Sequence, residues 1–239
     1  MVGLKSDVGI RRKLNEDYAD CIENDEYKLY IVADGMGGHN AGEVASKMAV
    51  DEIREYIKNN FSHGNEVKVL EDAVKYTNTK VNEYSISRNN LKGMGTTLVV
   101  ALISKESINI ANIGDSGCFG ITKNKIVKIT KDHSLVQELI DSGSITEEEG
   151  RNHPQKNVIT RALGTESNVK VDIFSLKKGI YDKFLLCTDG LTNELTNEEI
   201  LKIVNKSENY IDVCDELILL AKKNGGRDNI TVVLFGGEV

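Results

Sequence analysis

The feature that most limits how this chain can fold is the stretch between Thr97 and Ile129. Four short β-prone segments, 97–103, 108–113, 118–122 and 126–129, follow one another across short polar turns such as Ser104-Lys105-Glu106 and Lys123-Asn124-Lys125. Turns of that length reverse the chain. Strands joined this way pair as antiparallel hairpins, because a parallel pair needs a crossover of about a dozen residues or more. Segment 97–103 is apolar with little alternation, as expected of a strand buried on both faces.

Helical periodicity brackets this block. Ala41, Val44, Ala45, Met48, Ala49, Ile53 and Ile57 recur at three- and four-residue spacing and make one apolar face. A second helix is expected over 66–84, with Leu70, Ala73, Val74 and Val81 turned inward. Strands are expected at 18–22, 29–33, 169–174, 183–187 and 230–235. Segment 134–150 is polar and leans to helix, and 197–204 and 211–223 are amphipathic helices. Helices thus come in blocks between blocks of strands. That order predicts an α+β fold of antiparallel sheets covered by helices, not a βαβ parallel sheet. Pro154 is the only proline, and no Pro-, Gly- or Ser-rich linker interrupts residues 1–239, so a single domain without internal repeats is expected.

Composition narrows the function. The net charge is −7 and the basic residues are scattered, which argues against a nucleic-acid partner. No apolar run approaches the ~20 residues of a membrane span, and residues 1–10 do not read as a signal peptide. Cys21, Cys118, Cys187 and Cys214 form no CxxC pair and no zinc spacing. Free thiols, a reducing compartment and hence a cytoplasmic location are expected.

Acids stand where apolar strands stop. Segment 29–33 runs into Asp34-Gly35, 184–188 runs into Asp189-Gly190, Asp228-Asn229 opens 230–235, and Asp115 follows Ile113-Gly114. Taken singly, Asp-Gly and Asp-Asn are ordinary turn signals. Taken together, antiparallel strands would gather these carboxylates at one sheet edge, where like charges must protonate or find a cation. Hard divalent ions with oxygen ligands suit such a set, and no competing His/Cys set points to zinc. Gly35 would let its own carbonyl come close to an ion.

Eight ordered motifs extend this reading. They are Arg12-Arg-Lys-Leu-Asn-Glu-Asp17 and similar runs at 32–43, 93–97, 113–116, 130–134, 157–164, 187–191 and 226–231. Together they resemble the metal-dependent protein phosphatase family, type 2C, in its compact bacterial form. The resemblance implies a four-layer α-β-β-α sandwich and hydrolysis of phosphoserine and phosphothreonine in proteins, opposing a bacterial serine/threonine kinase. It implies two primary Mn²⁺ or Mg²⁺ ions, typically about 3.5–4 Å apart in two-metal sites, and a weaker third. Asp34 would bridge the two, Asp189 and Asp228 would hold the first, and the Gly35 carbonyl the second. Asp115 with Asp189 would hold the third, and Glu16 and Asp17 would orient bound water. Arg12 would grip the phosphoryl group, with the adjacent Arg11 an exposed charge. His39 would protonate the leaving oxygen, or else be a structural residue at a helix start. Segment 133–164 resembles the family's flap. One departure stands out: the family's arginine after Gly-Asp-Ser is replaced by Gly117, so a local salt bridge must be missing or replaced.

The implied partners are phosphorylated proteins, among them a kinase and its substrates, and the chain is expected to be a monomer. An enzyme of the same chemistry with one narrow phosphoprotein client, and an inactive phosphoprotein-binding domain on the same fold, are the competing readings. Retention of Asp34, Asp189, Asp228 and Arg12 argues against the second of these.

Overall fold

A computed structural model describes residues 1–38 and 41–237. It contains two sheets. The first is ordered β1 (Val2–Asp7), β11 (Ile230–Gly236), β10 (Lys183–Cys187), β7 (Gly117–Ile121) and β8 (Ile126–Lys128). The second is ordered β2 (Asp17–Glu23), β3 (Tyr27–Met36), β5 (Leu98–Ser104), β6 (Ile108–Ile113) and β9 (Asp172–Leu176), with short β4 (Gly95–Thr96) paired to the end of β3. Every pairing is antiparallel.

The expected hairpins form at β5–β6 and β7–β8. Between them the chain does not turn back on its own sheet. The turn Gly114-Asp115-Ser116 carries it from β6 in the second sheet to β7 in the first. Crossing over lets two apolar faces bury each other, which a single four-strand meander could not do.

Strand alternation sorts the core into three layers. On β3, Tyr30 and Val32 face the other sheet, while Leu29, Ile31 and Ala33 face outward to helices. On β10 and β11, Phe184, Leu186, Val233 and Phe235 point into the seam between sheets, and Leu185, Cys187, Val232 and Leu234 point the other way. Tyr30 stacks on Phe235 with ring centres 3.8 Å apart, and Phe184 lies 5.8 Å from the same ring. Helices α1 (Ala41–Asn60) and α2 (Glu66–Ile86) cover the second sheet, their inward residues including Ala45, Ala49, Ile53 and Leu70. Helices α6 (Asn197–Val204) and α7 (Tyr210–Asn224) cover the first, through Ile200, Val213 and Leu217. The four layers match the α-β-β-α expectation.

Segment 134–150 breaks into α3 (Leu135–Asp141) and α4 (Glu147–Arg151) at Ser142-Gly143-Ser144. Three strands depart from expectation, the two-residue β4 among them. β1 was not foreseen, because Gly3, Lys5 and Ser6 dilute its apolar signal; it is held as an edge strand by its ladder to β11. β9 starts at Asp172 instead of Val169, since Val169 and Val171 pack against the α1–α2 side without joining the ladder.

Candidate active site

The seam between the sheets changes chemistry at one end. Following Tyr30 and Val32, the next inward residue of β3 is Asp34. On β2, Ala19 and Cys21 lead back to Asp17, which sits directly opposite Asp34 in the ladder. On β10, Phe184 and Leu186 lead to Thr188, and on β11, Val233 and Phe235 lead back to Thr231. Asp189 then starts α5 (Asp189–Thr192), Asp228 precedes β11, and Asp115 lies on the turn between sheets. The acids therefore converge from two sheets, not along one sheet edge as expected from strand polarity. Crossover of the chain at Gly114 is the reason.

Close packing at two glycines makes the convergence possible. A Cβ on Gly190 would come 1.9 Å from the Asn229 carbonyl oxygen, so only glycine lets the start of α5 press against the start of β11. That contact brings Asp189 beside Asp228. A Cβ on Gly35 would come 2.0 Å from the Gly42 carbonyl oxygen, so Gly35 lets α1 dock on the end of β3 next to Asp34. This packing need stands alongside the carbonyl role anticipated for Gly35.

Asp17 is 6% exposed, whereas Asp34, Asp115, Asp189 and Asp228 keep partial exposure at the mouth of the seam. Burial, then repulsion from Asp17, Asp189, Asp115 and Asp228, raises the Asp34 carboxyl well above its ordinary value. Asp34 is thus the acid that the other four surround. Burial likewise raises Asp17 and Asp115, and it raises Asp189 with Asp228 adding to the effect. Asp17 accepts hydrogen bonds through Oδ2 from Thr188 Oγ1 (2.9 Å) and Thr231 Oγ1 (2.7 Å), which ties the second sheet to the first. Its Oδ1, like Oδ1 of Asp189, is buried without a hydrogen-bond partner. Asn193 donates to the other Asp189 oxygen at 2.9 Å and in turn accepts from Lys156 at 3.0 Å.

These residues fit hard divalent cations. The donors are all oxygens, five carboxylates crowd together, and two buried carboxylate oxygens lack a partner. Among the described residues, no group of three or more His, Cys, Asp or Glu is spaced to cage an ion alone.

Arg12 lies on the loop between β1 and β2, half-exposed, with Nη2 2.8 Å from Asp228 Oδ2. Asn229 shapes that loop: its Nδ2 donates to the Val8 and Leu14 carbonyls, and its Oδ1 accepts from Glu16 N–H. Glu16 is raised by burial, with Arg12 and the Gly42 N–H at the start of α1 opposing the rise. Its carbonyl accepts from Gly35 N–H and Ser46 Oγ. Arg11 is exposed and makes only a backbone bond to Gly226 among the contacts described. His39 lies outside the described residues. Beside Gly117 the missing family arginine has a neighbour in its space. Lys128 Cε would lie 3.1 Å from a Cβ there, and Lys128 Nζ pairs with Asp132 Oδ2 at 2.6 Å.

Sequence reasoning missed Thr188, Thr231 and Asn229. A signal existed: each threonine holds an inward position at the end of an apolar alternation where Val would otherwise be expected.

The sequence profile of the protein phosphatase 2C family matches residues 10–234. The chain belongs to that family. It is 41% identical over 234 residues to the serine/threonine phosphatase stp of Listeria welshimeri, spanning 96% of this chain and 93% of that protein. It is 38% identical to the protein phosphatase PhpP of Streptococcus pneumoniae, spanning 98% and 96%. The crystal structure of the serine/threonine phosphatase Stp1 from Staphylococcus aureus superposes with a TM-score of 0.94 at 38% identity, covering 100% of this chain and 95% of that one. As a type 2C phosphatase, the chain is a metal-dependent protein serine/threonine phosphatase.

Proposed function

We propose that the acid end of the seam hydrolyses phosphoserine and phosphothreonine esters with two primary Mn²⁺ or Mg²⁺ ions and a weaker third. The observation that carries this is the position of Asp34, with four other carboxylates around it and unpartnered oxygens on Asp17 and Asp189. In this reading Asp34, Asp189, Asp228 and the Gly35 carbonyl would hold the primary ions, and Asp115 with Asp189 would hold the third. When bound, such ions lower the pKa of water toward neutrality and offset phosphoryl charge.

The chain's own residues do the rest. Arg12 offers the phosphoryl group a two-pronged guanidinium, and its ion pair with Asp228 keeps it at the site's edge. Asp17, held through Oδ2 by Thr188 and Thr231, keeps its buried Oδ1 unpartnered, and Glu16 flanks it from the residue before β2. His39, by its place in the motif, is the candidate donor to the leaving oxygen. No thiol is needed as nucleophile: Cys118, Cys187 and Cys214 are buried, and burial raises each of them.

We further infer phosphorylated proteins as substrates, a serine/threonine kinase and its targets among them, for a single-domain monomer acting in the cytoplasm. The names of the relatives support the substrate class. Four free cysteines suit a reducing compartment, and among the described residues no helix is long and apolar enough to cross a membrane. The test is hydrolysis of a phosphothreonine peptide by protein stripped with EDTA. Activity should vanish and return with Mn²⁺; full activity in excess chelator contradicts the proposal.

A further inference from the structure

Asp115 sits on a turn of only three residues between two sheets, so something must fix that turn. His133 does so twice. Its backbone N–H donates to the Gly114 carbonyl at 2.9 Å, and Gly114 N–H donates to its ring Nδ1 at 3.0 Å. The two bonds close a ring around the residue that precedes Asp115. Asn112 adds a donor to the Lys131 carbonyl at 3.0 Å, next to the same turn.

The far side of the imidazole is anchored too. Because Nδ1 accepts from Gly114, the neutral ring carries its proton on Nε2, 3.1 Å from Asp172 Oδ2 at the start of β9. Arg161 Nη1 is 2.7 Å from Nε2, yet both nitrogens bear hydrogens, so its donors belong to Asp172 Oδ1 (2.9 Å) and the Lys170 carbonyl (3.1 Å). The His133 carbonyl accepts from Thr160 N–H at 2.8 Å. His133 is 7% exposed, and these bonds engage its backbone and both ring nitrogens.

We propose that His133 is a positioning residue for Asp115: it locks the Gly114–Asp115 turn and couples it to the flap end at Thr160–Arg161 and to Asp172. This rests on the reading that Asp115 holds the third ion. Outer partners of ligand groups typically change metal affinity by about ten- to a hundredfold when removed. His133 reaches Asp115 through its backbone, so the lower end applies.

Two substitutions separate the ring's two sides. In His133→Asn the side-chain oxygen occupies the place of Nδ1 and can still accept from Gly114, but it cannot reach Asp172. In His133→Gln the polar atoms lie one bond further out, so Gly114 loses its acceptor. Mn²⁺ titration calorimetry and amide exchange at Gly114, the latter on metal-free protein, are the readouts. His133→Gln should weaken the weakest Mn²⁺ site about tenfold, leave the tight sites unchanged and expose Gly114 N–H to exchange. His133→Asn should keep Gly114 N–H protected and lose only slightly at the weak site, through its missing bond to Asp172. If His133→Gln does not fold, Asp172→Ala takes its place, with a smaller loss at the same site and unchanged tight sites.

Asp115→Ala is the control for the underlying reading. If it loses the weak site while His133→Gln keeps it, the positioning role is overturned. If Asp115→Ala keeps every ion, the third-ion reading falls, and Gly114 exchange alone judges the clamp. Unchanged exchange in His133→Gln, or equal exposure in both His133 variants, overturns it.

Discussion

The middle and the end of the intersheet seam are built from the same strands, on the same faces, in one unbroken alternation. In the middle, Tyr30, Phe184 and Phe235 stack ring against ring. At the end, the same positions become Asp34, Asp17, Thr188 and Thr231. The middle is stabilised by burial and is complete as it stands. The end is held together by its surroundings against its own repulsion, which protonation or bound cations would relieve. Period-two alternation thus delivers Asp17 and Asp34 in register, while Asp115, Asp189 and Asp228 come from the turns and helix start beside them.

Substitutions should part the two regions cleanly. Asp34→Asn or Asp189→Asn should lower turnover about a thousandfold or more, since metal charge stabilisation is worth several kcal/mol, while the fold persists. Steady-state kinetics and circular dichroism check this; near-wild-type rates would break the assignment. Phe235→Ala should do the reverse. It should cost about 3–5 kcal/mol of stability by denaturant melt, with kcat/KM of the folded fraction little changed.

Arg12→Ala comes next in size. Loss of a charge-assisted hydrogen bond of roughly 1.5–3 kcal/mol should lower kcat/KM about ten- to a few hundredfold on a phosphothreonine peptide. Because Arg12 pairs with Asp228, its removal frees a carboxylate, so Mn²⁺ affinity should hold or rise. Arg11→Ala should do little; a larger loss there would move the phosphate-binding role one residue.

The smallest effect is a pH dependence of the metal-free protein. Burial and mutual repulsion raise Asp17 and Asp115 to about 7. A carboxyl raised by folding favours the folded state while protonated, and that advantage is lost as pH climbs from the unfolded value near 4 through about 7. In EDTA the melting temperature should therefore fall between pH 5 and pH 8, and Mn²⁺ should remove most of that fall. A melting temperature that rises over this range without metal would place the acids in a less crowded setting.

The strands and long helices were legible because their periods, two and 3.6, are written in residues such as Ile53, Ile57, Leu98 and Val100. Assignment of strands to two sheets was not, because pairing partners distant in sequence, such as β1 and β11, leave no local trace. For the same reason the acids were expected along one edge. Asp34, Asp189 and Asp228 were visible as charges ending apolar runs. The supports Thr188, Thr231, Asn229 and His133 were not singled out, since their value lies in contacts from residues 19 to 215 positions away.

The most direct test of this contrast is the melting temperature of Asp34→Asn against wild type, in EDTA and in saturating Mn²⁺ at pH 7.5. Removing the central charge should raise stability in EDTA, because the surrounding carboxylates lose a repelling neighbour, and it should shrink the gain that Mn²⁺ gives wild type. A variant that melts lower than wild type in EDTA, yet gains as much from Mn²⁺, would contradict the account.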